Sequence, residues 1–297
     1  MPGWKDRIRK VLCTNRFVES LCLPFLRIGF ARPLFTRIIA GHHLYPQESV
    51  RQVTRADIRY SLDISDYNGW MIYFHSPVDD SSPILGRLND SRFILDIGGN
   101  IGQSALRIWN DRRSKGIDPR IASFEPFPTT RSRFEKNLTL NPESKDSITI
   151  YPIALGAEKA QVPMIIESPG NSGGNRMSSE SEEDSSEVTS VELRTLDSWM
   201  TEEGWPRVDF IKVDVEGFEH EVIKGGMKIL ERFHPDLFIE LDNNTLSAQG
   251  SSSRQLIDAL SGLGYEVEDV EGVQTLEELI QGIKHTDIFC HVPSCRL

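Results

Sequence analysis

The chain is poor in the features that sort a protein quickly. Four of its 297 residues are cysteine (Cys13, Cys22, Cys290, Cys295); they lie at the two ends and form no C-x-x-C. That spacing argues against a disulfide framework or a zinc ribbon and predicts reduced thiols in a cytoplasmic protein. No run of about 18 apolar residues occurs, so no membrane-spanning helix is expected. Cations are short as well: 33 Lys and Arg against 44 Asp and Glu leave a net charge of -11, which argues against a general nucleic-acid binder. What is present, 38% hydrophobic residues at a mean hydropathy of -0.33, describes a globular chain long enough for one large domain with an appendage.

The first 45 residues run against the overall charge. Lys5, Arg7, Arg9, Lys10, Arg16, Arg27, Arg32 and Arg37 face Asp6 and Glu19, with Trp4, Ile8, Leu12, Phe17, Leu21 and Phe25 interleaved. Glu19, Arg27 and Arg32 interrupt the apolar core a secretory signal needs. Residues 1–50 therefore read as one or two amphipathic helices. They pack on the domain or a partner, or lie on an anionic membrane surface. The second reading implies peripheral contact at the inner face of a membrane. Residues 51–90 read as a lead-in. Its IRYSLDI and WMIYFHS runs predict a hairpin over 57–76 that turns at Asp66-Tyr67-Asn68-Gly69.

From 91 to the end the pattern alternates strands and helices, which predicts a mostly parallel sheet with helices on both faces. Expected strands are 92–96, 121–124, 147–153, 208–215, 236–242, 265–270 and 287–292. Helices are expected over 101–113, 128–140, 217–231 and 252–263. An insertion at 162–194 interrupts the alternation: 162–167 and 188–194 can pair, and the Ser-, Gly- and Glu-rich stretch 168–187 reads as a loop, either a spacer or a flap.

The chain is organised around RFILDIGGNIGQ, residues 92–103. A buried strand ends in Asp96, turns through Gly98, Gly99 and Gly102, and starts a helix. Such a turn points backbone N–H groups into a crevice and lets a ligand approach closely. The glycines miss the G-x-G-x-x-G spacing of a dinucleotide site, and Asp96 would repel a pyrophosphate. The ammonium and sulfonium of S-adenosylmethionine suit that carboxylate better. A plain structural turn and an NAD site stand as the alternatives.

Ligands of an open parallel sheet sit at the carboxyl ends of its strands. The polar residues at those ends are Asp96, Glu125, Asp214, Glu216, Glu240 and Asp242. Glu125, ending the second strand, can accept hydrogen bonds from both hydroxyls of a ribose. Lys212, Asp214 and Glu216 alternate in IKVDVEG and share a face while the strand lasts. They form either an ion-pair network or a reacting centre. A hydroxyl acceptor needs a base, and Asp214, Glu216, His220 and Glu240 are the candidates. The carboxylates are hard ligands, but their spacing is diagnostic of no metal, and none is expected. The dispersed His42, His43, His75, His234, His285 and His291 read as structural.

Taken in order, LDIGGNIGQSAL, FEPFPTTRSRFEKNL, YPIALG, LRTLDSWM, VDFIKVDVEGFEHEVIKGG and FIELD resemble the FkbM family of S-adenosylmethionine-dependent methyltransferases. The resemblance implies a class I methyltransferase fold, seven strands with the last antiparallel. It implies that Asp96, Gly98, Gly99, Asn100 and Gly102 hold the methionine part and Glu125 the ribose. Ala154 would lie beside the adenine, and Asp214, Glu216 and Gly217 near the transferred methyl. The implied reaction is O-methylation of a sugar, glycan or secondary-metabolite hydroxyl. An NAD-dependent oxidoreductase and a non-catalytic scaffold are the rival functions. The sequence leaves the oligomeric state open.

Overall fold

A computed structural model describes residues 15–17, 19, 39–75, 83–165, 176–177 and 188–293. Most of the basic N-terminal segment, the 168–187 loop apart from residues 176–177, Cys13, Cys22 and Cys295 lie outside the described residues. The chain divides into two compact units, Met1–Asp80 with Glu167–Gly173 and Ser81–Ile166 with Gly174–Leu297.

In the first unit β1 (Val50–Arg55) pairs antiparallel with β2 (Ile58–Asp63). This corrects the expected hairpin, which placed its turn at 66–69. The real turn is Ala56-Asp57, both residues at positive φ (45° and 63°), the conformation a tight two-residue hairpin demands. Asp66 instead caps a helix: its side chain accepts from the Asn68 N–H, and α1 (Tyr67–Trp70) runs on into a π-type turn, Met71–His75. The β-forming residues of WMIYFHS were overridden by that cap. Glu19 is buried here, receiving the Arg51 guanidinium at 2.9 Å and the Tyr73 hydroxyl at 2.6 Å.

The second unit carries a seven-stranded sheet in the order β12-β13-β11-β10-β3-β4-β5. Its strands are β3 (Phe93–Ile97), β4 (Arg120–Phe124), β5 (Ile148–Tyr151), β10 (Phe210–Val213), β11 (Asp236–Leu241), β12 (Glu266–Asp269) and β13 (Thr286–His291). The expected alternation holds to within a few residues at each end. The central pairs β10–β3, β3–β4, β4–β5 and β10–β11 are parallel; β13 is antiparallel to both neighbours. Helices α2 (Gln103–Ser114) and α3 (Pro128–Leu140) follow β3 and β4. The single helix expected over 217–231 is two, α5 (Glu219–Gly225) and α6 (Met227–Phe233), broken at Gly226. The expected third strand also divides: β5 stops at Tyr151, and β6 (Ala154–Leu155) joins a second sheet of order β6-β9-β7-β8, in which β8 is Arg176–Met177. That sheet is the insertion, with β7 (Ala160–Ile165) antiparallel to β9 (Val188–Arg194) as expected.

One apolar cluster holds the unit together. Leu95, Ile97, Ile211, Val213, Leu237 and Ile239 from the central strands meet Trp199, Val222, Leu256 and Leu260 from the helices. The LRTLDSWM stretch belongs to this core. Thr195 caps α4 (Leu196–Glu203), Trp199 is fully buried, and Asp197 accepts from the Ile229 N–H at 3.1 Å near the start of α6.

Candidate active site

Three neighbouring strands set one row of side chains. Register pairs Ser123 with Asp96 and Asp96 with Lys212. The Ser123 hydroxyl donates to Asp96 Oδ2 at 2.7 Å, and Lys212 Nζ lies 3.7 Å from Asp96 Oδ1. Lys212 Nζ also donates to the Gly98 carbonyl at 2.9 Å and reaches Asp214 Oδ2 at 3.0 Å. Burial alone would lower the Lys212 pKa, but Asp214 and Asp96 outweigh it and hold the ammonium above its usual value. Burial raises Asp96 in turn, against the pull of Lys212 and Ser123. Both partners shift upward, so the pair is lopsided: the ammonium is firmly charged, and the carboxyl is the member that burial holds back.

The structure adds to two expectations here. Asp96 is wholly buried beneath the turn, with its Oδ2 taken by Ser123. The glycines also serve a different purpose. A Cβ at Gly98 (φ +86°) would lie 1.8 Å from the Asp214 carbonyl oxygen, and one at Gly102 (φ +85°) would lie 2.1 Å from the Phe134 ring. At Gly99 the obstacle is the Ser123 hydroxyl, 2.3 Å away. The missing side chains thus admit protein atoms, locking the turn against β10 and α3. Asn137 of α3 adds a hydrogen bond from Nδ2 to the Ile101 carbonyl at 2.9 Å.

The turn and Glu125 are joined. Glu125 Oε2 accepts from the Asn100 N–H at 2.8 Å and Oε1 from the Phe127 N–H at 2.9 Å. The carboxyl is 6% exposed, and burial pushes its pKa up to about 7 despite those two donors. Asn100 takes a left-handed conformation (φ +46°), and its side-chain Oδ1 is buried without a hydrogen-bond partner. A buried acceptor left open costs free energy until a donor arrives. Ala154 is buried in a small apolar cluster with Phe127, Val191 and Leu193, against which Phe218 packs.

Past β10 the chain turns sharply. Glu216 (φ +54°) and Gly217 (φ +101°) leave the strand, so the expected alternation ends at Val213. Asp214, Glu216 and Glu240 nevertheless converge, each offering a carboxylate oxygen within 4.8 Å of the others. Such an oxygen-only group has the chemistry of a hard-cation site; Lys212 already brings one positive charge to it. Burial, then Asp214 and Glu216, push the Glu240 pKa well up, and His285 Nε2 stands 3.0 Å from Glu240 Oε1. His220 belongs elsewhere: its Nδ1 is buried, 3.7 Å from Glu221 Oε1. Asp242 caps α7 (Asn243–Ala248), accepting from the Asn244 N–H at 2.8 Å.

Two buried residues were missed as site residues. Ser123 fixes Asp96. Glu219 Oε1 accepts from the Val215 and Gly217 N–H groups at 3.0 and 3.1 Å, shaping the turn that carries Glu216. Glu219 is the final acid of D-V-E-G-x-E, so its signal was in the motif.

Comparison with known sequences now decides the family: the Methyltransferase FkbM domain matches residues 96–267. The chain belongs to the FkbM methyltransferase family. Its seven-stranded sheet, with β13 reversed, is the class I methyltransferase sheet. Methyltransferase 1 of Beauveria bassiana (strain ARSEF 2860) is 32% identical over 153 residues, covering 46% of this chain and 59% of that protein. The 2-O-methyltransferase NoeI of Sinorhizobium fredii (strain NBRC 101917 / NGR234) is 25% identical over 196 residues, 61% of this chain and 76% of its own length. A solved FkbM methyltransferase from Methylobacillus flagellatus KT superposes with a TM-score of 0.47 at 16% identity, over 97% of this chain and 58% of that one. The chain thus spans just under three fifths of the fungal relative and of that solved structure. Among the described residues no helix is long and apolar enough to cross a membrane.

Proposed function

We propose that this FkbM-family chain is an S-adenosylmethionine-dependent O-methyltransferase acting on a hydroxyl of a sugar, glycan or secondary metabolite. The observation that carries the reading is Glu125, a buried carboxylate at the end of β4 bonded to the backbone of the glycine turn. Each of its oxygens accepts one N–H and keeps a lone pair, enough for two ribose hydroxyls. The open Asn100 Oδ1 fits the ammonium of the methionine part, and Ala154 with Phe127 fits a purine edge on the side away from Phe218. Bound, that cofactor supplies a methyl group already activated on a sulfonium.

The chain's own residues then have two tasks. One is to orient the acceptor oxygen; a well-placed pair gains roughly 7–11 kcal/mol of the barrier. The other is to take the hydroxyl proton as the oxygen forms its bond to carbon. Asp214 is assigned that proton: its side chain is 42% exposed, and Lys212 Nζ holds one oxygen at 3.0 Å. Glu240, raised by burial and by its neighbours, keeps its proton and spares the group a further negative charge. Lys212 and Glu219 position the turn. The NAD reading loses its footing with the family assignment.

The test is calorimetric titration with S-adenosylhomocysteine, then a methyl-transfer assay with labelled cofactor. Wild-type binding that Glu125→Ala abolishes and Asp214→Ala leaves within about threefold supports the reading. A folded wild type that does not bind refutes it.

A further inference from the structure

A cavity of about 450 Å³ opens beside the turn after β10, and neither Glu125 nor the glycine turn lines it. Its apolar wall is Val162 of β7, Leu193 of β9 and Phe218, the residue after Gly217. Its charged lining residues are Glu158 and, from α5, Glu221 and Lys224. Gln249 also lines it, and the Gln249 Cγ lies 3.1 Å from where a Cβ of Gly217 would stand. The cavity therefore abuts the same turn that carries Glu216, and the insertion sheet forms its far wall. Its volume falls in the range of small-molecule sites, roughly 300–1,000 Å³.

The lining is two-sided. An aromatic ring and two aliphatic side chains face carboxylates, an ammonium and an amide. A saturated ring with apolar C–H faces and hydroxyls around its edge matches both sides at once. Charge narrows the choice. Lys224 Nζ bonds both oxygens of Glu221, at 2.9 and 3.0 Å, so the one cation among the described lining residues is already neutralised. Glu158, the other charged residue of the lining, adds a carboxylate. A phosphate placed here meets the Glu158 carboxylate and, among the described lining residues, no cation that Glu221 has not already paired.

We propose that this cavity is the acceptor subsite and that it takes a neutral, polyhydroxylated ring in preference to a phosphorylated one. The role as acceptor subsite rests on the methyl-transfer reading above; the ring-binding claim does not. Recognition runs through stacking on Phe218 and hydrogen bonds to Glu158, Gln249 and Glu221. The insertion, through Val162 and Leu193, sets the size of ring admitted.

The experiment is saturation-transfer NMR on the full chain with S-adenosylhomocysteine present. The probes are the methyl glycosides of glucose, galactose, mannose, fucose and N-acetylglucosamine and, for those with a 6-hydroxyl, their 6-phosphates. The variants are Val162→Trp, which fills the cavity from a partly exposed strand position, and Glu221→Gln, which frees Lys224. We expect signal from at least one neutral glycoside, lost in Val162→Trp while calorimetry shows the nucleoside still bound. The matching 6-phosphate should bind roughly tenfold more weakly, and Glu221→Gln should shrink that gap. No signal from any neutral glycoside, a preference for the phosphates, or a Val162→Trp protein that binds as the wild type does would each overturn the proposal. Glycoside binding by a protein that ignores S-adenosylhomocysteine would instead sink the methyl-transfer reading and leave the ring site standing.

Discussion

Replacing Glu125 by Gln removes a titrating group from the floor of the proposed cofactor site while keeping its shape. Burial lifts the Glu125 carboxyl from its ordinary 4.5 to about 7. Ribose hydroxyls donate best to the ionised form, so affinity should follow the ionised fraction. That fraction is about nine tenths at pH 8, about one tenth at pH 6 and about one hundredth at pH 5. Affinity for S-adenosylhomocysteine should therefore fall about tenfold from pH 8 to pH 6 and about tenfold again by pH 5. Binding at pH 6 should release close to one proton, read by repeating the calorimetry in buffers of different ionisation enthalpy. Glu125→Gln should bind more weakly at pH 8, with the slope below neutrality gone. The same shift acts oppositely on the ligand-free fold. The folded carboxyl holds its proton to a higher pH than the unfolded one, so its contribution is complete below about 4.5 and is lost as pH rises through about 7. A Gln variant that keeps the wild-type pH profile of binding would refute the reasoning, since another group would then be titrating.

Gly98→Ala should fold poorly or not at all, because its Cβ meets the Asp214 carbonyl. Gly116→Ala is the control: φ is +73° but nothing lies within 4 Å, so a loss of about 1 kcal/mol in chemical denaturation is expected. Glu219→Ala strands the Val215 and Gly217 N–H groups and should cost ~2–4 kcal/mol, with lower turnover at saturating cofactor. Lys212→Met leaves Asp96 buried without its cation and should cost ~3–5 kcal/mol; adding Asp96→Asn should restore part of that, and strict additivity in the cycle would show the two do not interact.

The sheet was legible because its strands are nearly continuous apolar runs and its helices begin at recognisable signals. Pro128 opens α3 at the predicted residue. The first hairpin was not legible. Its turn, Ala56-Asp57, has no glycine or asparagine to announce two positive φ values, whereas the visible turn signal at Asp66 proved to be a helix cap. The site was half legible. Residue types at strand ends pointed to Glu125, Asp214 and Glu240, and the structure brings Asp214 and Glu240 into one group and sets Glu125 against the glycine turn. Sequence carries no depth, however: it could not say that Asp96 is sealed while Asp214 is 42% exposed. Nor could it separate His220 from the carboxylates, since the break at Glu216-Gly217 rotates α5 away from the strand's alternation.

The glycine turn shows why a motif identifies a family more surely than it explains it. Read as letters, Gly98, Gly99 and Gly102 suggest room for a ligand. In the fold that room is taken by the Asp214 carbonyl, the Ser123 hydroxyl and the Phe134 ring. The constraint that removes side chains here is protein packing, and it acts on the ligand indirectly. Gly98 at φ +86° lets its carbonyl meet Lys212, which in turn holds Asp214. Asn100, two residues further along the turn, gives its N–H to Glu125. One backbone segment thus bonds to both Lys212 and Glu125, the first beside the carboxylate assigned the proton and the second assigned the ribose. A change that loosens the turn should then weaken binding and turnover together, whereas a change at Asp214 should separate them. That contrast, binding against turnover, tells a residue that positions the site from one that works in it.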